Sequence, residues 1–131
     1  MATLRLLLDT VGLLCVVANP DRMSRRVAEL ISDESNQVLV SAATAWELST
    51  KCRLGKLDQA EALLQSWDQQ CERLQLEELD VTAAHALRGG GYTVDHRDPF
   101  DRLICAQGEL ENVAIVTNDS AFELFPVKTM W

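Results

Sequence analysis

Apolar residues in this chain fall in short runs that alternate with stretches of helical periodicity. Leu4 to Leu8 is a nearly continuous apolar run ending at Asp9, the pattern of a strand buried on both faces. Thr10 is placed to cap the following helix, Val11 to about Ala18, which the Asn19-Pro20 pair ends. Ser24 is a cap for a second helix, whose Val27, Leu30 and Ile31 follow the i, i+3, i+4 spacing and which runs out near Asp33. Gln37 to Val40 predicts a second strand, with Ser41 capping a helix from Ala42 that carries Trp46, Leu48 and Leu54 and stops at Gly55. Asp58 and Glu61 form a variant capping box that opens a helix through about Arg73.

Further along, Leu74 to Leu76 reads as a minor strand or extended link. Asp80 is a cap for a helix from Val81 to Leu87, terminated by Gly89, Gly90 and Gly91. Tyr92 to Arg97 reads as a loop. Asp98-Pro99 is an N-cap followed by proline at the first helical position, so a helix starts there and runs to about Leu110. Val113 to Val116 predicts another strand, Ala121 to Leu124 a short helical turn, and Val127 to Met130 a last edge strand. Strands alternating with helices call for an α/β fold, a parallel sheet with helices on both faces. Right-handed crossovers then gather the carboxyl ends of the strands on one edge, where open sheets of this kind place their sites.

Four acids stand where that edge would form: Asp9, Glu47, Asp101 and Asp119. Asp9 and Asp119 follow strands, while Glu47 and Asp101 lie about one helical turn inside helix starts. A carboxylate closing a buried strand is costly unless paired or bound to metal. Gathered carboxylates without a basic partner repel one another, and oxygen-only ligation suits Mg²⁺ or Mn²⁺. That chemistry points to metal-assisted phosphodiester hydrolysis. Each acid also has a structural role open to it: Asp9 and Asp119 as helix caps, Glu47 as a solvent-facing residue, Asp101 as a favourable charge in a first turn. Asp98 is assigned to the cap, beside the metal ligands. Thr10, Ser41 and Asp98 are candidates to orient a carboxylate or a water. Arg97 and Arg102 flank Asp101 and are candidates for phosphate. His96 reads as a loop histidine and His85 as a helix-face residue, neither with a partner that would make it a base.

The segments LLLDT, VSAATAWELSTKCRLGKL, HRDPFDRLICAQ and AIVTNDSAF together resemble the PIN-domain ribonucleases, in particular the VapC-type toxins of bacterial toxin–antitoxin pairs. The resemblance covers nearly the whole chain in the correct order. It departs at Val11-Gly12, where this branch often has a histidine after the Asp-Thr, and in the glycine-rich segment before HRDPFD. It implies a three-layer α/β/α sandwich with a parallel sheet of about five strands, in one PIN-like domain over residues 1–131. It also implies a metal-dependent endoribonuclease that acts on RNA. Metal-ligand roles carry over to Asp9, Glu47, Asp101 and Asp119. A homodimer and inhibition by a cognate antitoxin are implied as well.

Charge and composition narrow the rest. The formal net charge is −8, with 12 basic against 20 acidic residues, which argues against a bulk electrostatic nucleic-acid binder but leaves a nuclease open. Cys15, Cys52, Cys71 and Cys105 form no CxxC pair and read as buried reduced thiols. No apolar run is long enough to cross a bilayer and the first residues lack a secretory pattern, so a cytoplasmic protein with no membrane partner is expected. A haloacid-dehalogenase-type phosphatase would need an aspartate at the position of Val11. A receiver domain would need an acidic pair near the first strand, and no G-x-x-x-x-G-K loop occurs. The remaining rival is a catalytically silent PIN-like module that only binds a protein partner.

Overall fold

The computed structural model describes residues 3–57 and 60–131. Its strands are β1 (Arg5–Leu8), β2 (Gln37–Ser41), β3 (Leu76–Leu79), β4 (Ala114–Val116) and β5 (Thr129–Met130). Its helices are α1 (Thr10–Ala18), α2 (Arg25–Ser32), α3 (Ala42–Arg53), α4 (Glu61–Gln65), α5 (Trp67–Arg73), α6 (Ala83–Gly91) and α7 (Pro99–Leu110). Short 3₁₀ turns lie at Pro20–Arg22 and Ser120–Leu124. The five strands form one sheet in the order β3-β2-β1-β4-β5, every pair parallel.

Alternation along the strands divides the core. Leu6, Leu8, Val38, Val40 and Val116 face one layer, where they meet Leu13, Val27, Leu48 and Leu63 from α1 to α4. Leu7, Leu39 and Ile115 face the other, against Ile104, Cys105 and Ala106 of α7 and Phe122. Since β1 is apolar on both faces, it lies at the centre of the sheet. This is the three-layer α/β/α sandwich expected from the sequence. Among the described residues no helix is long and apolar enough to cross a membrane. The four cysteines are free thiols, three of them buried.

Several boundaries differ from the expected ones, each for a local reason. The capping box expected at Asp58 rests on a residue outside those described. The helix expected through Arg73 is broken at Ser66, whose backbone leaves the helical region and whose hydroxyl donates to the Ala62 carbonyl at 3.0 Å. Gln75 adopts φ 57°, a left-handed turn that ends α5 and delays β3 to Leu76–Leu79 instead of Leu74–Leu76. Thr82, not Asp80, caps α6: its Oγ1 accepts from the His85 N–H, and His85 Nδ1 accepts from the Thr82 N–H at 3.0 Å. His85 is therefore buried in the cap, with Nε2 turned toward Glu111 at 3.7 Å. Gly89, Gly90 and Gly91 lie within α6 instead of ending it early. At Gly89 a side chain would meet the Arg102 carbonyl at 3.0 Å, so the missing Cβ lets α6 lie close on α7.

Candidate active site

In this strand order the connections reverse direction between β1 and β4, which opens a crevice at their carboxyl ends. Asp9 stands at that point. Leu8 pairs in register with Val116, and the Asp9 N–H donates to the Val116 carbonyl at 3.1 Å. The Asp9 side chain, not Thr10, caps α1: Oδ1 accepts from the Gly12 N–H at 2.6 Å. Gly12 is the residue that makes this approach fit. A Cβ there would lie 2.9 Å from the Val116 carbonyl oxygen and 3.1 Å from Asp9 Oδ1. Asp9 is 4% exposed. Burial pushes its carboxyl up to about 6, with the charges of Asp119 and Glu47 adding to the rise and the Thr117 hydroxyl and Gly12 N–H opposing it.

Thr10, released from capping, donates to Glu47 Oε1 at 2.5 Å. Glu47 is buried although Trp46 beside it is 60% exposed and meets Phe100 edge to face. Ser41 is buried, and its hydroxyl caps α3 by accepting from the Ala43 N–H. The other oxygen of Glu47 accepts from Lys51 Nζ at 2.5 Å, one turn along α3. Burial alone would lower the Lys51 pKa, but its bond to Glu47 and the charges of Glu47, Asp98 and Asp101 hold it above the ordinary value. The acids therefore do have a basic partner, contrary to the sequence reading. The i, i+4 spacing of Glu47 and Lys51 was the signal for it.

Asp101 in the first turn of α7 also has a partner. His96 Nε2 lies 2.9 Å from Asp101 Oδ2, which corrects the reading of His96 as an unpartnered loop residue. Burial pushes the Asp101 carboxyl up to about 6, against the bond to His96, while Asp98 and Glu47 raise it further. Asp98 is the cap of α7, its Oδ1 accepting from the Phe100 and Asp101 N–H groups at 2.9 and 3.2 Å. Asparagine caps about as well, so Asp98→Asn should shift stability by only about a few tenths of a kcal/mol. A thermal melt checks this, and a large fall in melting temperature would mean that Asp98 does more than cap the helix. Asp119 is exposed and caps the last 3₁₀ turn through the Ala121 N–H at 2.9 Å.

Arg102 is half-buried, and its guanidinium is engaged by backbone instead of standing free for phosphate. Its Nε donates to Gly89 O, its NH1 to Val94 O and His96 O, and its NH2 to Gly90 O and Tyr92 O. All of its N–H donors are spent on backbone carbonyls. Of the two arginines expected to meet phosphate, Arg97 is the exposed one.

The site gathers the four acids at one sheet edge by element, but not yet around one point. Among the described residues no three His, Cys, Asp or Glu side chains stand close enough together to ligate an ion as arranged. Glu47 is turned to Thr10 and Lys51, Asp101 to His96, and Asp119 to its own turn. The donor set nevertheless fits a hard cation. It is all carboxylate oxygen, and no salt bridge among the described residues reaches the buried Asp9. A concavity lined by Ile31, Asn36, Gln75 and Glu77 lies away from these acids.

The model of the PIN-domain family matches residues 6–128 of this sequence. The chain belongs to the PIN-domain family. PIN domains are generally nucleases and typically use divalent metal ions. Among solved structures, this PIN domain is similar to a chain of VapBC2 from Rickettsia felis, bound to a DNA fragment from their promoter. The TM-score is 0.66 at 21% identity, over 98% of this chain and 99% of that one. It is also similar to a chain of FitAcB from Neisseria gonorrhoeae, with TM-score 0.61 at 22% identity over 96% of each chain. PAE2754 from Pyrobaculum aerophilum matches with TM-score 0.56 at 17% identity, over 96% of this chain and 83% of that one. No curated protein matches the chain. At such identities these likenesses speak for the fold of this PIN domain.

Proposed function

We propose that this PIN domain is a Mg²⁺-dependent endoribonuclease, also able to use Mn²⁺, and that it acts as the VapC-type toxin of a toxin–antitoxin pair. The observation that carries the reading is Asp9: a buried carboxylate at the switch point, raised by its surroundings and without a cation partner among the described salt bridges. Asp9, Glu47, Asp101 and Asp119 would hold the ion. A divalent cation bound there supplies charge to a phosphate oxygen and lowers the pKa of a bound water. Residues of this chain do the rest. The Gly12 N–H fixes Asp9, Thr10 orients Glu47, and His96 holds the Asp101 carboxylate. The exposed Arg97 would take substrate phosphate. The reaction is hydrolysis, in which a water oxygen bonds to phosphorus and the bridging P–O bond breaks, its oxygen leaving with a proton. RNA as the substrate is taken from the family resemblance, since this chemistry does not need a 2′-hydroxyl.

The similar structures VapBC2 and FitAcB support a protein partner, here a cognate antitoxin. A partner that placed an arginine or lysine among the acids would replace the ion's charge without changing the fold. We also propose a homodimer. Leu13, Leu14, Val16 and Val17 of α1 are more apolar than one helix face requires; Leu13 is buried in the core, while Leu14, Val16 and Val17, with Val11, are only partly buried. A twofold contact is the expected form.

The rival reading, a silent module that binds a protein, draws on the engagement of Glu47 by Thr10 and Lys51. One experiment separates the two. Purified protein, its size fixed by light scattering, is given single-stranded RNA with Mg²⁺, with Mn²⁺, or with excess chelator. Cleavage that needs the ion and stops with chelator is expected. Intact RNA in every arm would support the silent module, and a strict monomer at micromolar concentration would remove the dimer.

A further inference from the structure

Both oxygens of Glu47 already carry a donor as it stands. Oε1 accepts from Thr10 and Oε2 from Lys51, both at 2.5 Å. The two donors differ in what holds them. Thr10 is buried at the start of α1. The Lys51 side chain is 41% exposed against 4% for Glu47, so its stem runs from solvent to the buried carboxylate. Such an arm can withdraw without moving the backbone. The pair also sits one turn apart on a single helix, so releasing it leaves the packing of α3 against the sheet untouched. Beyond Glu47, Lys51 feels the negative charges of Asp98 and Asp101 across the site. With Arg102 spent on backbone carbonyls, Lys51 is the lysine or arginine that the described ion pairs place against a site acid.

A divalent ion using Glu47 would compete with this ammonium for Oε2 and be repelled by it while it stayed. Once displaced, the ammonium remains at the open side of the site, where a substrate phosphate must approach the acids. We propose that Lys51 is an exchangeable counter-ion: it neutralises Glu47 when no divalent ion is bound, leaves Glu47 when one binds, and then takes a non-bridging phosphate oxygen of the substrate. The inference rests on the metal-nuclease reading above and gives Lys51 a role in it beyond a surface ion pair.

The test is Mn²⁺ binding to the full chain, followed by electron paramagnetic resonance of the free ion, in wild type, Lys51→Met and Lys51→Arg. Because the competing charge is gone, Lys51→Met should bind Mn²⁺ roughly 2- to 5-fold tighter, the scale of a partly exposed ion pair. Lys51→Arg should stay near wild type. At saturating Mn²⁺ the KM for RNA should rise several-fold in Lys51→Met and recover in Lys51→Arg. Thermal melting of each variant shows that it is folded, and Lys51→Gln serves if Lys51→Met is not. Wild type that binds Mn²⁺ with no tightening in Lys51→Met overturns the counter-ion role alone. No Mn²⁺ binding by wild type and variant alike overturns the metal reading, and this proposal with it.

Discussion

Asp9→Asn is expected to abolish metal-dependent cleavage and yet to melt at a higher temperature than wild type in metal-free buffer at neutral pH. The direction follows from where the carboxyl titrates. Burial raises it from 3.8 to about 6, so the folded protein holds this proton more tightly than the unfolded chain does. Stability from the protonated form is fully present below the unfolded value and is lost as pH rises through the folded one. Above that window the folded state carries an ionised, buried Asp9 at a cost of up to about 3 kcal/mol. Asparagine removes the cost and can still accept from the Gly12 N–H. A gain of about 1–3 kcal/mol at pH 7.5, shrinking to nothing near pH 4, is expected. Asp101→Asn should move the same way but less, because asparagine weakens the contact to His96. Thermal melts of metal-free protein at several pH values read the first half, and RNA cleavage at low Mg²⁺ reads the second. A less stable Asp9→Asn at neutral pH, or one that cleaves fully, would refute the assignment.

Arg102→Ala should be the most damaging of the substitutions considered. The guanidinium ties the last carbonyls of α6, Gly89 and Gly90, to those of Tyr92, Val94 and His96 in the connection that leads to α7. The end of a helix leaves carbonyls without partners, and here one side chain supplies the donors for several. Their removal is expected to cost about 2–4 kcal/mol, read as a fall in the urea midpoint. Lysine offers fewer donors from a single point and cannot match the planar fork, so Arg102→Lys should recover little. Since His96 depends on this connection and holds Asp101, cleavage should fall as well. Were Arg102 a phosphate ligand instead, Arg102→Lys would keep the wild-type midpoint and change only KM.

What could be read along the chain was whatever burial imposes on consecutive residues. A strand apolar on both faces must be central, so RLLLD announced β1 and the acid at its end without knowledge of its neighbours. Asp98-Pro99 announced the start of α7, because a cap and a fixed φ are properties of adjacent residues. Strand β3 was misplaced for the opposite reason. Leu76–Leu79 reads LEEL, with both glutamates exposed, and its strand character comes from pairing with β2 rather than from its own pattern. The roles of side chains at the site were decided by tertiary structure to a greater degree. Thr10 and Asp9 both have capping chemistry. Only the approach of α3 gives Thr10 another acceptor, in Glu47, and leaves the cap to Asp9. Arg102 beside Asp101 looks like a phosphate ligand until the connection after α6 folds its carbonyls around the guanidinium. The family was thus legible in the motifs of the sequence and the parallel sheet in its buried runs, since local burial and capping act between near neighbours. Which polar group meets which was decided only by the fold, because a hydrogen bond across the molecule depends on positions that no stretch of sequence contains.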